Sequence, residues 1–217
     1  MPSNTRERIA HAAFDLFATD GFERTTIDQI AARAGVGRTT YFRYFPTKDA
    51  AVFPDHAAIL DAVRARLESG DAETAAVALH EASRIVLRHY LAEGDLARKR
   101  YRLTRSVPAL RDAEIAGQRA YQRLFRDQLR DWLSPVGDAG ADDLAAEVGA
   151  NAVVTAHNHV LRRWLRAETT TPEEDLKRAI EEYADRLLAA RGHGTALLTR
   201  TVRDLDELAG RLRRALE

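Results

Sequence analysis

The sequence predicts an all-α fold, and three observations carry that expectation. Apolar residues recur at steps of three and four in segment after segment, as a helix that buries one face requires. Helix stops such as Asp20-Gly21, Gly35, Ser69-Gly70, Glu93-Gly94 and Gly192-His193-Gly194 divide the chain into about ten helices. From Ala72 onward no stretch alternates with a two-residue period, so no sheet is expected.

Taken in order, the first helix starts near Asn4, where N-x-x-E to Glu7 offers a cap, and stops at Asp20-Gly21. Ile9, Ala13, Leu16 and Phe17 share its inner face, while Arg6 and Arg8 near its start are either solvated or within reach of a nucleic-acid backbone. Thr26 and Gln29 form a T-x-x-Q capping box ahead of Ile27, Ile30, Ala31 and Ala34. Gly35 ends this second helix in a left-handed conformation. A third helix follows at once from Arg38 to Tyr44, with Tyr41 and Phe45 facing inward, until Pro46 stops it. Arg38, Thr39, Thr40, Phe42, Arg43 and Tyr44 are left on its other faces.

Thr47 reads as the cap of a fourth helix running to Glu68, with a kink or break near Phe53 imposed by Pro54. Further helices are expected at 72–92, 95–106 and 108–133, with Pro108 in a first helical position. Ser134 to Gly140 reads as a loop, followed by a helix at 142–166. Thr171 caps a helix at 172–191, and a last helix from Thr195 carries Leu198, Leu205 and Leu212 as a narrow apolar seam.

Composition bounds the function. With 217 residues and 45% hydrophobic content the chain builds a packed core as one large or two small domains. Its 33 basic and 33 acidic residues cancel, so any case for nucleic acid rests on local charge. The absence of cysteine excludes disulfides, thiolate metal sites and a cysteine nucleophile, and is compatible with a reducing cytoplasm. There is no leader pattern and no apolar run of about 18 residues, so a cytoplasmic protein with no membrane partner is expected.

Local charge does point somewhere. Arg33, Arg38, Arg43 and Lys48 fall in the two-helix unit, and no acid lies between Arg33 and Lys48. Such a unit is either a hairpin with a solvated basic face or a DNA reader whose second helix enters the major groove. Capping, turn and charge agree on the second.

At these residues the chain resembles the TetR family of transcriptional regulators, whose signature runs T-[IV]-x-x-I-A-x-x-A-G-V-[SG]-x-x-x-[LFY]-Y-x-[HY]-F-x-[ST]-K. Thr26, Ile27, Ile30, Ala31, Ala34, Gly35, Val36, Gly37, Tyr41, Tyr44, Phe45, Thr47 and Lys48 match it. Phe42 departs from it, standing where the family usually has a tyrosine able to bond phosphate. The resemblance implies that Thr26, Gly37, Tyr44 and Lys48 hold phosphates. It also implies that Arg38, Thr39 and Thr40 face bases, with Phe42 and Arg43 on the same helix. Arg38 suits the O6 and N7 pair of a guanine.

The resemblance further implies a helix-turn-helix DNA-binding domain at 1–47 and a ligand-sensing, dimerising body at 48–217. The partners it implies are double-stranded operator DNA, a second copy of the chain and a small-molecule effector, in a regulator that by family habit is a repressor. A dimer is also what paired half-sites require. By family habit residues 142–167 and 172–191 build its interface, with Val148, Ala152 and Ala156 on one helix and Leu176, Ile180, Tyr183 and Leu187 on the other; these rows equally suit core within one chain.

For the effector, polar groups inside apolar stripes mark His157 and Asn158, and Tyr90, Tyr121, Phe125 and Trp132 are candidate walls. Between Arg98 and Arg130 ten basic residues stand against Asp112, Glu114 and Asp127, densest from Arg98 to Arg105. Arg102 and Arg105 would there receive an anion such as an acyl-CoA, unless the run is only a solvated, ion-paired face. No catalytic motif, cofactor or metal site is expected, since His157 and His159 point apart on a helix. A helical adaptor that binds only protein is the alternative, with a small-molecule-binding enzyme behind it.

Overall fold

The computed structural model describes residues 5–53, 56–133 and 139–189. Among them are nine α-helices and one 3-10 turn, with no strand, as the periodicity predicts. The cap at Asn4 and the last helix from Thr195 fall outside the described residues.

Three helices make a head: α1 (Thr5–Thr19), α2 (Ile27–Arg33) and α3 (Arg38–Tyr44). They close on Ile9, Phe14, Phe17, Ile30, Tyr41 and Phe45, which the three- and four-residue spacing brings to one side of each helix. This core does not stop at residue 47. It takes in Ala51 and Val52 beyond the third helix and Leu110 from the body.

The expected helix from Thr47 to Glu68 is two elements. Thr47 does act as a cap, its Oγ accepting from the Ala50 N–H at 3.2 Å, but what it opens is only the 3-10 turn Asp49–Ala51. The helix proper, α4 (His56–Glu68), begins beyond Pro54, whose ring disfavours helical backbone at the residue before it.

The body continues with α5 (Ala75–Glu93), α6 (Asp95–Ser106), α7 (Pro108–Leu133), α8 (Ala139–Leu165) and α9 (Pro172–Ala189). The long helices α7 and α8 pack along each other, α5 lies against α4 and α9, and α8 against α9. Leu79, Leu87, Leu129, Val153, Leu176 and Ile180 fill the space between them. Each such side chain contributes about 1.5–3 kcal/mol when taken fully from water. Short α6 crosses between the parts, packing on α7 and on α1.

Several expected boundaries move. The helix expected from residue 72 starts at Ala75, because the Asp71 carboxylate accepts from the N–H groups of Glu73 and Thr74 and holds a turn. Ala139 and Gly140, expected in a loop, belong to α8. That helix ends with Ala167 at φ 61 and the Glu168 N–H on the Arg163 carbonyl, an ending usually given to glycine. Leu176 and Ile180, placed by resemblance at a subunit interface, are buried inside one chain, and the side chain of Leu187 lies outside the described residues. Among the described residues no helix is long and apolar enough to cross a membrane.

Candidate nucleic-acid interface and body cavity

Helix α3 is fixed from behind and open in front. Tyr41 and Phe45 are its anchors, fully buried against α1 and α2, and the Tyr41 hydroxyl donates to the Thr47 carbonyl at 3.0 Å. Burial, with Asp49 nearby, pushes that phenol up to about 12, so it stays a neutral donor. The helix in front of it is set by a complete capping box: the Gln29 N–H donates to Thr26 Oγ at 3.3 Å and the Thr26 N–H to Gln29 Oε1 at 2.8 Å. Gly35 turns at φ +64, and the Val36 N–H closes on the Ala31 carbonyl at 2.9 Å.

With α3 so held, Gly37, Arg38, Thr39, Phe42 and Arg43 are exposed, and Thr40, Tyr44 and Lys48 half-buried beside them. Thr26 is exposed at the start of α2. Arg38 reaches Asp28 at 2.6 Å with both side chains largely in water, and its guanidinium also lies over the Phe42 ring. An exposed pair of this kind is worth only about 0–1 kcal/mol, so the fork is available to a base edge. Phe42 stays 40% exposed, an apolar ring where the family usually has a phosphate-bonding tyrosine.

Several other cations of the head donate to its own backbone. Arg6 donates to the Tyr44 carbonyl at the end of α3, and Arg8 to the Ala34 carbonyl at the end of α2. Both stand where the last carbonyls of a helix need donors. The Lys48 ammonium sits on the Phe22 carbonyl at 2.6 Å and over the Phe22 ring.

In the body, Tyr90, Tyr121, Phe125, His157 and Asn158 come together, from α5, α7 and α8, around one narrow cavity of about 60 Å³. Phe53, Ser83, Val86, Glu114, Gln118, Val154 and Leu161 complete its lining. Trp132 is buried but does not line it. Burial pushes the His157 ring down to about 4, so it is neutral, and pushes the phenols of Tyr90 and Tyr121 up. His157 Nδ1 and Ser83 Oγ are both buried without a hydrogen-bond partner.

The basic tract does not face this cavity. Arg102 is exposed beside Phe14 and Phe17 in a groove between α1 and α6, and exposed Arg105 donates to the Tyr101 hydroxyl. Arg98 lies over the Trp164 ring and Lys99 reaches Asp15, while Arg126 pairs with Asp127. Arg100 is the buried member. It grips both Glu93 oxygens, donates from Nε to the Val52 carbonyl and lies over the Tyr90 ring. Arg102 and Arg105, expected to receive an anion, do not line this cavity: an α-helix sends its faces different ways, and theirs is not the cavity's. Among the described residues no group of three His, Asp or Glu is arranged to hold a metal ion.

Comparison with known proteins addresses the head first. Residues 9–52 match the family model for bacterial regulatory proteins of the tetR family, spanning all of α1 to α3 apart from the first turn. The head carries the amino-terminal domain of the TetR family. A Mycobacterium tuberculosis protein named as a mycofactocin biosynthesis transcriptional regulator, MftR, is 26% identical over 183 residues, which is 82% of this chain and 89% of that one. Two solved structures share the fold. A Syntrophomonas wolfei protein described as a TetR-family transcriptional regulator superposes with a TM-score of 0.58 at 15% identity, covering 85% of this chain and 95% of that one. The fatty acid degradation regulator FadR from Bacillus halodurans gives 0.54 at 18%, covering 90% and 98%.

Behind this TetR-type head, some residues that matter are silent in the sequence. Ser83, Glu114, Gln118 and Phe53 line the cavity, yet each sits in an ordinary helical pattern or, for Phe53, next to a proline. Arg100 looks like one more cation of a basic run. The one available signal was Glu93, an acid seven residues earlier and so two turns away on the same side if the helix ran on.

Proposed function

We propose that the protein is a ligand-responsive, DNA-binding transcriptional regulator that acts as a homodimer on operator DNA, releasing it when a small molecule enters the body cavity. The observation that carries this is the disposition of α3. Its back is locked by Tyr41 and Phe45, and its amino-terminal residues Arg38 and Thr39 stand in solvent.

A helix presented in this way lays its first residues on base edges in the major groove. Arg38 reads a base, and Thr39 and Thr40 lie beside it. Thr26, Gly37, Tyr44 and Lys48 hold the flanking phosphates, Gly37 because the lack of a side chain lets backbone approach closely. Two copies related by a two-fold axis place two such helices about one turn of DNA apart. MftR and FadR are named as regulators, which favours the same role here. Repression is the simplest form of that role, because a bound dimer blocks its site.

Release follows from the size of the cavity. At about 60 Å³ it holds a few waters, whereas sites for drug-sized molecules run to roughly 300–1,000 Å³. A ligand therefore has to part α5, α7 and α8. The wall includes Phe53, and its neighbour Val52 belongs to the core of the head. Arg100 ties the Val52 carbonyl to Glu93 at the end of α5. Movement of the wall is thus passed to the head, changing the separation of the two α3 helices.

The test is selection of bound fragments from a random DNA pool, followed by a screen for compounds that release the selected site. An inverted repeat bound by two copies is expected. A protein that enriches no sequence, and shows no salt-dependent binding to its own promoter, would be the protein-binding adaptor instead.

A further inference from the structure

The chemistry of the cavity lining narrows the ligand. No lysine or arginine lines it, and its one formal charge is the carboxylate of Glu114. Among the described residues Glu114 forms no ion pair. Arg162, Arg100 and Arg111 act on it only from a distance, and Arg100 is committed to Glu93. The remaining walls are ring faces and aliphatic carbons, with the neutral amides of Gln118 and Asn158 among them. Two side chains aimed among them, Ser83 at 1% exposure and His157 at 8%, keep an unpartnered polar atom. A buried polar atom left unpaired is costly, so a lining with such atoms is built to be completed by something else.

We propose that this cavity takes a lipophilic cation, an aromatic or aliphatic amine whose ammonium uses Glu114 as its counter-ion and whose carbon skeleton lies among Tyr90, Tyr121 and Phe125. This rests on the reading of the cavity as the effector site. A carboxylate or phosphate head would meet Glu114 with no cation in the lining to offset the repulsion. An ammonium meets a carboxylate, the negative faces of aromatic rings and neutral acceptors at Ser83 and His157. Burial pushes the Glu114 carboxyl up. An arriving cation offsets that by stabilising the charged form, so the group is poised to respond to it.

The experiment uses the full chain and three probes matched in skeleton: 4-phenylbutylamine, 4-phenylbutanol and 4-phenylbutyrate. Affinity is read by calorimetry and by shift in melting temperature, with operator release measured in parallel. The amine is expected to bind about tenfold more tightly than the alcohol, and the carboxylate more weakly than either. Glu114→Gln, which keeps the shape, should bring the amine down to the alcohol's affinity, and Phe125→Trp, which fills the cavity, should weaken both. The three-probe ranking in the unmodified protein tests the proposal even if a variant folds poorly. Binding of the carboxylate as tight as that of the amine, an amine affinity unchanged in Glu114→Gln, or no binding by any probe would each overturn it. If the amine binds as expected and DNA is not released, the ligand class stands and the effector reading fails. If only the carboxylate binds and releases DNA, the effector reading stands and the ligand class fails.

Discussion

Replacing Arg100 by leucine removes three hydrogen bonds at once, two to the Glu93 carboxylate and one to the Val52 carbonyl. It also leaves Glu93, whose side chain is 17% exposed against 6% for its partner, with His89 alone at 3.5 Å. Burial alone would push that carboxyl up, yet the hydrogen bonds from Arg100 and His89 hold it down at about 2 against an ordinary 4.5. Breaking a buried pair from one side costs about 3–5 kcal/mol, because the remaining charge loses its principal partner. For a chain of this size that is a fall in melting temperature of roughly 10 °C. Arg100→Lys keeps a charge for Glu93 but has one nitrogen where the guanidinium uses three, and should lose about 1–2 kcal/mol. The double variant Glu93→Leu with Arg100→Leu should regain most of the loss, since no charge is then stranded. Urea denaturation followed by circular dichroism, at one fixed protein concentration because a dimer's stability depends on it, measures all three. Arg100→Leu within about 1 kcal/mol of the parent, or a double variant as unstable as the single, would refute the reasoning. The folded double variant should also keep its operator affinity while losing much of its response to ligand.

Other expectations follow from the same geometry. Arg38→Ala, at an exposed position, should leave stability within about 0.5 kcal/mol and weaken operator binding by roughly 10- to 100-fold, as isothermal unfolding and DNA titration would show. Gly37 lies at φ −79 and a Cβ added there would meet nothing within 4 Å, so Gly37→Ala should fold as well as the parent. Its operator affinity should nonetheless fall several-fold if phosphate closes on that backbone. Acid should expose the Glu93 pair: its folded pKa is depressed, so its contribution is complete above about pH 4.5 and is lost as pH falls toward 2. That contribution is about 3 kcal/mol, and it should be missing from the pH profile of the double variant.

What the sequence disclosed and what it withheld divide along physical lines. The head was legible because its signals are local. A capping box, a glycine at a left-handed turn and two inward aromatics are each decided within a few residues, and the structure has Thr26 with Gln29, Gly35 at positive φ, and Tyr41 with Phe45 buried. Stops at Gly94 and Pro108 were equally local. Asp71 hid the true start of α5, because a carboxylate folding back on its own backbone leaves the hydrophobic period unchanged. The cavity was partly legible: Tyr90, Tyr121, Phe125, His157 and Asn158 stand out as polar or aromatic interruptions of apolar stripes. Ser83 and Glu114 do not, since one is small and the other an ordinary charged residue until three helices close around it. The contacts of the basic run were only partly legible, because some are settled between distant elements, Lys99 with Asp15 and Arg98 with the Trp164 ring. No local count predicts those encounters.

The central claim is that two copies of α3 read one stretch of duplex and that the body decides whether they do so together. Titration of the purified protein against an inverted-repeat site drawn from its own random-pool selection tests it most directly, with stoichiometry and salt dependence read in the same experiment. Two chains per site are predicted, with an affinity that falls steeply as salt rises and a sharp loss on Arg38→Ala. One chain per site, or binding indifferent to sequence and to Arg38, would contradict it.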